Sequence, residues 1–134
     1  MSSLQNLEQI RAKSALDFAK SPAEKRGRDG GEAMKKIPPM IMANGLLAAI
    51  AFAIEERRHG PARPGFMAIF DAIGGHLCSS EIAITKETKT AKQLIDFLAE
   101  ADSHTLKLAT DEALAWLGYA RRFVAGGGAD SNDS

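Results

Sequence analysis

The side chains that could bind a metal or carry a proton are scattered along this 134-residue chain. His59, His76 and His104 are widely spaced, and they form neither an HxxxH nor an HExxH pair, the kind of spacing that places two imidazoles on one helix face. His76 and Cys78 lie two residues apart and would project to different sides of a helix. The sequence therefore predicts no metal site and no bound cofactor.

Adjacent acidic residues give no better case for acid–base catalysis. Glu55 with Glu56, and Asp111 with Glu112, stand near basic residues on helix surface that the pattern predicts to be exposed. Solvated ion pairs are the usual arrangement there. The glycine-rich stretches lack the preceding strand and the following Lys-Ser/Thr of a phosphate-binding loop. Because catalysis needs a buried group with a shifted pKa, and none is indicated, the sequence predicts a protein that is not an enzyme.

Basic residues in adjacent pairs are the remaining functional signal. Aromatic side chains are not interleaved with them, so stacking on single-stranded bases is poorly supported. Contact with phosphates, without reading of base sequence, is the more physical expectation. The alternative is an ordinary solvated surface or, near the C-terminus, a cationic helix end favoured by the helix dipole. The candidate nucleic-acid-binding residues are Lys35, Lys36, Arg57, Arg58, Arg121 and Arg122.

Composition predicts one globular module with a divided charge. Hydrophobic residues make up 45% of the chain and charged residues 25%, as in ordinary globular proteins. Residues 1–63 contain eleven Lys and Arg against seven Asp and Glu, net +4, whereas residues 64–134 contain six against ten, net −4. A neutral protein polarised in this way can bind an anion on one side or stack head to tail with its own copies.

The predicted location is the cytoplasm. Cys78 is the single cysteine, so no disulfide framework is available and a reducing compartment fits best. The N-terminal residues lack the continuous apolar core of a signal peptide. The apolar stretch 41–54 is shorter than the roughly 20 residues that a membrane crossing needs. We therefore expect no membrane contact.

Helical spacing of apolar residues predicts a first helix that starts from a cap at Ser2 or Ser3 and ends near Lys20. The following stretch, 21–31, combines a proline, glycines and dense charge. That composition is typical of an exposed, mobile loop.

A strongly apolar helix is predicted over about residues 39–58, with a boundary or kink at Pro38-Pro39. Asn44-Gly45 within it would signal a hairpin if alternating strands flanked it. Its flanks of Met, Ala and Leu do not alternate, so the pattern favours an unbroken helix. Because this helix is apolar on nearly every side, other elements or another subunit must cover it.

The second half of the chain continues the helical pattern. A helix is predicted over 66–77, weakened by Gly74 and Gly75, which are interpreted as breakers. The stretch 81–90 has some strand character and is otherwise an extended connector. The candidate caps of the next helix, which runs through 94–98, are Thr88 and Thr90.

The last helix is predicted from Ser103 to about Ala125, ended by three glycines. Trp116 lies on its apolar face and is interpreted as core filling. Gly118 lowers helix propensity and suggests close packing of a neighbour. The residues that fall on the apolar face are Leu106, Ala109, Ala113, Trp116, Leu117, Ala120, Phe123 and Val124.

The fold class predicted from these elements is all-α. We expect a compact bundle of five or six helices, with the long C-terminal helix packed on the central apolar helix. Residues 1–125 would form a single helical domain and residues 126–134 a disordered C-terminal tail.

Three stretches, in this order, carry a family resemblance. IRAKSALDFA is similar to an opening Arg-Ala-x-x-Ala helix, and KKIPPMIMANGLLAAIAFAIEER to a lysine-rich helix leading into Pro-x-x-Ile-x-x-Asn-Gly-Leu. TDEALAWLGYARRF is similar to Thr-x-Glu-Ala-Leu-x-Trp-Leu followed by a basic residue, Arg and Phe. Over about residues 8–124 the chain therefore resembles the small all-helical subunit of Cmr complexes, the type III-B CRISPR effectors that target RNA.

The resemblance implies a non-catalytic subunit that stacks in copies along the inner filament of the complex, beside a backbone filament holding the guide RNA. The implied partners are other Cmr subunits, including the backbone subunit, copies of the chain itself, and guide and target RNA. The basic residues named above would then contact RNA phosphates or neighbouring subunits in antiviral defence. The alternative is a helical self-associating interaction module without nucleic-acid contact.

Overall fold

The computed structural model describes residues 5–22 and 30–128. Within these ranges the chain forms six helices and one two-stranded hairpin, which confirms the all-α class. Ser2, Ser3 and most of the predicted 21–31 loop lie outside the described residues. In chain order the elements are α1 (Leu7–Lys20), α2 (Gly30–Asn44), α3 (Leu46–Ala53), β1 (Glu56–Arg57), β2 (Gly60–Pro61), α4 (Pro64–Leu77), α5 (Ala91–Glu100) and α6 (Ser103–Gly128).

Two helices begin with reciprocal side-chain caps. Thr90 accepts the backbone N–H of Gln93 at 3.1 Å while the Gln93 side chain accepts the N–H of Thr90, so the predicted cap at Thr90 is confirmed. Asn6 and Gln9 form the same arrangement at the start of α1, with both hydrogen bonds at 2.9 Å. Helix α1 thus starts at Leu7, in place of the start predicted from a serine cap.

The predicted unbroken helix over 39–58 is wrong at both ends and in the middle. Pro38 and Pro39 lie inside α2, because Ile37 and Ile41 on the same helix are buried and their packing carries the helix through the dipeptide. The helix instead breaks at Gly45, whose φ of 95° is a conformation that favours glycine. Helix α3 then starts at Leu46 and ends at Ala53, so the segment that follows is free to form the hairpin.

Gly74 and Gly75 do not break α4, contrary to the prediction. Gly74 is buried where the connector crosses the helix, and a Cβ atom there would overlap the backbone oxygen of Thr88. The Thr88 hydroxyl donates to the Gly74 carbonyl at 2.9 Å and lies 2.5 Å from the Thr85 hydroxyl. The connector 81–90 has turns and bends rather than a strand, and Asp71 of α4 accepts the Ala91 N–H at 2.6 Å where α5 begins.

Helix α6 organises the bundle. It packs against α1 on one side and against α2 and α4 on the other, while α3 and α5 complete the core next to α4. Because α2 contains the first part of the apolar segment, the expected packing of the C-terminal helix on that segment is confirmed for α2. The largest fully buried side chains are Trp116, Phe70, Ile37, Leu46, Ile50, Ile69, Ile73, Leu77, Leu94, Leu98 and Leu117.

The apolar face predicted for α6 is confirmed, and two details of the helix differ. Trp116 is fully buried, as expected of core filling. Gly118, by contrast, has open space around its Cα, so the predicted close packing is wrong. The helix ends at Gly128, beyond the expected end near Ala125. The predicted tail beyond it, 129–134, lies outside the described residues.

Candidate nucleic-acid interface

Lys35 and Lys36 lie on the outward face of α2, and both are exposed. Lys36 is engaged: its Nζ is 2.9 Å from the Glu32 carboxylate one turn earlier, and this hydrogen bond is the main reason that the pKa of Glu32 lies below its usual value. Lys35 makes no ion pair with any described carboxylate. Lys35 is therefore the better placed of the two for an external anion.

Arg57 and Arg58 lie in a hairpin. The sequence had placed them at the end of a helix, and that prediction is wrong. Strand β1 pairs antiparallel with β2, with Arg57 opposite Gly60, and Arg58 and His59 form the two-residue turn. Gly60 has a φ of 124°, which an L-residue rarely adopts. All three side chains of the hairpin tip, defined as Arg57, Arg58 and His59, are exposed.

Arg63 anchors this hairpin, and sequence analysis missed it. Its Nη1 donates to the Phe52 carbonyl at 2.9 Å and to the Glu55 carboxylate at 2.7 Å, while its guanidinium lies 3.5 Å from the centre of the Phe52 ring. The Phe52 ring is itself held edge-on against Phe66 at 5.6 Å. Arg63 therefore fixes the base of the hairpin to the end of α3.

Arg121 and Arg122 are exposed on α6. Adjacent residues of an α-helix are about 100° apart around the axis, so the two side chains point to different parts of the outer arc, as expected. The six predicted residues thus lie on α2, the hairpin and α6. No hydrogen bond or ion pair between described residues joins one pair to another.

A buried charged cluster lies where α1, α4 and α6 meet. Glu112 of α6 receives two hydrogen bonds from Arg11 of α1, at 2.8 Å and 2.7 Å. Its Oε2 is also 2.9 Å from Nε2 of His76 on α4. The other imidazole nitrogen is 3.0 Å from the Ser14 hydroxyl, which also accepts the indole N–H of Trp116 at 3.0 Å. The cluster ties the first, fourth and last helices together.

The hydrogen-bond roles in this cluster are determined by its chemistry. A carboxylate only accepts, so Nε2 of His76 carries the proton, Nδ1 accepts, and the Ser14 O–H donates to it. Burial is the largest influence on the pKa of His76 and lowers it, against the opposing effect of Glu112. Burial raises the pKa of Glu112, but the hydrogen bonds from Arg11 and His76 outweigh it and leave that pKa below its usual value. The cluster therefore holds a carboxylate, a guanidinium and a neutral imidazole.

The expected exposure of the Asp111 and Glu112 pair is correct for Asp111 and wrong for Glu112, which is 5% exposed. The sequence did hold a signal. Glu112 lies three residues after Ala109 and four before Trp116, so helical spacing places its Cα on the apolar face. A carboxylate on that face needs a buried cation, and the partner, Arg11, lies 101 positions away in sequence.

An open cleft of about 480 Å³ runs along this cluster between α1 and α4. Ser14, His76 and Glu112 are the residue types of a hydrolytic triad, and the first two line the cleft. Two hydrogen-bonding contacts of these residues differ from those of a catalytic triad. The Ser14 oxygen accepts the Trp116 N–H, and Glu112 is neutralised by Arg11. Through these contacts the cluster joins α1, α4 and α6.

Acidification is expected to reduce the free energy of unfolding in two steps. The pKa of His76 is lowered on folding, so below its ordinary value of 6.5 the unfolded chain binds the proton first and stability begins to fall. Glu112 adds a second loss below its ordinary value of 4.5, because its pKa is also lowered on folding. Urea unfolding between pH 8 and pH 3 measures both losses. The loss near pH 6 should shrink in His76→Gln and persist in His104→Gln; an equal loss in both variants would contradict the assignment to His76.

Among residues 5–22 and 30–128, no three His, Cys, Asp or Glu side chains are grouped to hold a metal ion. In the same part of the chain, no helix is long and apolar enough to cross a membrane.

Comparisons with known proteins identify the family. The chain matches the family model described as CRISPR-associated protein (Cas_Cmr5) over residues 7–127. Its fold is similar to the X-ray crystal structure of a CRISPR-associated Cmr5 family protein from Thermus thermophilus, with a TM-score of 0.66 and 20% sequence identity, covering 91% of this chain and 97% of that chain. At this identity the likeness establishes the fold alone. No curated protein matches the chain significantly in sequence. Because the family model spans nearly the whole chain, the chain belongs to the CRISPR-associated Cmr5 family.

Proposed function

We propose that the chain is a structural subunit of a CRISPR Cmr complex and that it contacts the backbone of guide–target RNA through exposed basic residues. Membership of the Cmr5 family over residues 7–127 is the observation that carries this proposal. Exposed basic side chains without a carboxylate partner among the described residues support it. Lys35, the hairpin tip and the two arginines of α6 are exposed and make no ion pair with carboxylates in the described part of the chain.

The proposed contact is electrostatic and independent of base sequence. Arginine and lysine neutralise phosphates and release condensed counterions, which makes such binding sensitive to salt. The three basic sites lie on separate elements, so one copy makes only a few phosphate contacts. Copies stacked along one duplex add these weak contacts through effective concentration. The proposed partners are therefore copies of this chain, other Cmr subunits including the backbone subunit, and guide and target RNA.

The proposal assigns the chain no catalytic step and places it in the cytoplasm. The titratable cluster of the interior is neutralised internally: Glu112 is paired with Arg11, and both nitrogens of His76 have partners. We further propose that residues 1–125 act as one helical domain.

A second candidate function is self-association without RNA. Met42, on the outward face of α2, is 75% exposed, and Leu108 of α6 is 43% exposed. Exposed large apolar side chains on charged helix faces are suited to contact between protein subunits. Sedimentation of the isolated chain with and without guide–target duplex separates the two functions. An oligomer that is stable and indifferent to RNA would favour this alternative.

The RNA role predicts the effect of charge reversal. In an assembled complex carrying Lys35→Glu, Lys36→Glu, Arg57→Glu and Arg58→Glu, we expect guide–target binding to weaken by about tenfold or more at low salt. The dependence of log K on log salt should also become shallower, by about 0.7 to 0.9 for each phosphate that the variant no longer neutralises. Filter binding or fluorescence anisotropy at several salt concentrations measures both quantities.

The matched control is Lys86→Glu with Lys89→Glu, two exposed lysines of the connector outside the proposed surface. This variant should retain both the affinity and the salt slope. Unchanged affinity and slope in the fourfold variant, with the complex intact, would rule out the proposed contact.

A further inference from the structure

We infer that the hairpin tip is a preformed binding surface for the sugar–phosphate backbone and that Arg63 is its positioning residue. The inference rests on the proposed function and specifies which element makes the contact. It follows from how the structure distributes the charges of the segment Glu55, Glu56, Arg57 and Arg58. In sequence these four residues would neutralise one another.

The structure pairs both carboxylates with cations from elsewhere in the chain. Glu55 accepts a hydrogen bond from Arg63 at 2.7 Å. Glu56 accepts one from Lys92 of α5 at 2.9 Å. Arg57 and Arg58 are thereby left with no carboxylate partner among the described residues, although two acidic residues directly precede them. The tip keeps its full positive charge, which an external anion can neutralise.

Arg63 is itself basic but is built into the fold. Its side chain is 22% exposed, and its guanidinium is engaged with a carbonyl, a carboxylate and the Phe52 ring at once. A planar guanidinium can make all three contacts together, whereas a lysine ammonium cannot. Because these contacts and its low exposure hold Arg63 in the fold, we assign its effect on binding to the position of the tip.

The hairpin needs this anchor because it is short. Each strand has two residues, and a two-residue ladder does not hold its own shape in water. The Ala62 N–H donates to the Glu55 carbonyl at 2.9 Å, next to the Arg63 contacts, and closes the base of the hairpin. A hairpin backbone that is held in place before binding avoids the entropy cost of ordering that backbone on the RNA.

The test compares Arg63→Lys and Arg63→Met with Arg57→Glu/Arg58→Glu in the assembled, guide-loaded complex. Arg63→Lys keeps the charge and removes the planar contacts, so long-range electrostatics alone predict binding equal to the wild type. If Arg63 acts by positioning the tip, the complex should bind guide–target duplex about three- to tenfold more weakly in Arg63→Lys. Binding should be at least as weak in Arg63→Met. The control Arg57→Lys/Arg58→Lys preserves the tip charge and should bind nearly as the wild type does.

Two additional readouts separate positioning from general destabilisation. The thermal midpoint of Arg63→Lys should stay close to that of the wild type, and amide exchange of Ala62 should become faster. If Arg57→Glu/Arg58→Glu leaves binding unchanged, the hairpin does not contact RNA and that part of the proposed function fails. If that variant weakens binding while Arg63→Lys and Arg63→Met bind as the wild type, RNA contact stands and the positioning role is overturned. If both Arg63 variants lose global stability, and their loss of affinity follows that loss of stability, the positioning role is also overturned.

Discussion

Replacing Gly74 with alanine is expected to destabilise the protein by about 3 kcal/mol or more, as overpacking at a site that cannot relax. The added methyl group would overlap the backbone oxygen of Thr88. Movement of that backbone would break the hydrogen bond from the Thr88 hydroxyl to the Gly74 carbonyl and disturb the buried Thr85 hydroxyl. Urea unfolding followed by circular dichroism measures the loss.

The neighbouring Gly75 is the matched control. It lies in the same helix, and a Cβ atom there would meet nothing within 4 Å. Gly75→Ala should therefore stabilise the protein by about 0.5 to 1 kcal/mol, the difference in helix propensity. If Gly74→Ala and Gly75→Ala change stability by similar amounts, the close approach of the connector to α4 is not a feature of the folded protein in solution.

The second large effect is expected at Glu112. Glu112→Gln removes the negative charge that neutralises Arg11 and that accepts a hydrogen bond from Nε2–H of His76. It leaves a guanidinium without its counter-charge at the junction of three helices. Breaking a buried ion pair from one side typically costs about 3 to 5 kcal/mol. Because Arg11 is 25% exposed and can turn toward water, the lower end of this range is the expectation. Denaturant unfolding at pH 7.5 gives the value.

Two variants test the origin of that loss. Asp111→Asn removes the same charge one residue earlier, where the carboxylate is exposed and pairs with Lys107 at 3.1 Å. Its effect should be within about 0.5 kcal/mol of zero. The double variant Arg11→Met/Glu112→Gln should be more stable than Glu112→Gln alone, since the unpaired cation is gone. A double variant that shows the full sum of both single losses would contradict the coupling.

Sequence patterns predicted a helix correctly where the interactions that stabilise it join residues close together in the sequence. Thr90 and Gln93 cap α5 through atoms three residues apart, and the apolar face of α6 follows from spacing alone. Asn44-Gly45 shows the limit of such patterns. The dipeptide was predicted to lie within an unbroken helix because its flanking residues do not alternate, and those residues could not indicate that two helices meet there through the positive φ of Gly45.

The exposure of the candidate residues was predictable from the sequence, whereas their arrangement in the fold was not. Exposure of Arg57 and Arg58 agrees with their charge, yet their position in a hairpin depends on Arg63, whose partners include a backbone carbonyl and an aromatic face. Such contacts produce no periodic pattern in the sequence. The buried cluster was missed for a related reason, because the cation that stabilises Glu112 comes from the opposite end of the chain.

The packing of α1 on α6 also determines when, during synthesis, the bundle can form. A ribosome synthesises α1 well before the surface that covers it, because Glu112, the carboxylate that pairs with Arg11, lies 101 positions later in the chain. Until then the inner face of α1 stays open to water and to chaperones. The bundle therefore cannot close until α6 has been synthesised, and a chain stalled or cleaved before residue 112 would contain α1 without the carboxylate that completes the Arg11 ion pair.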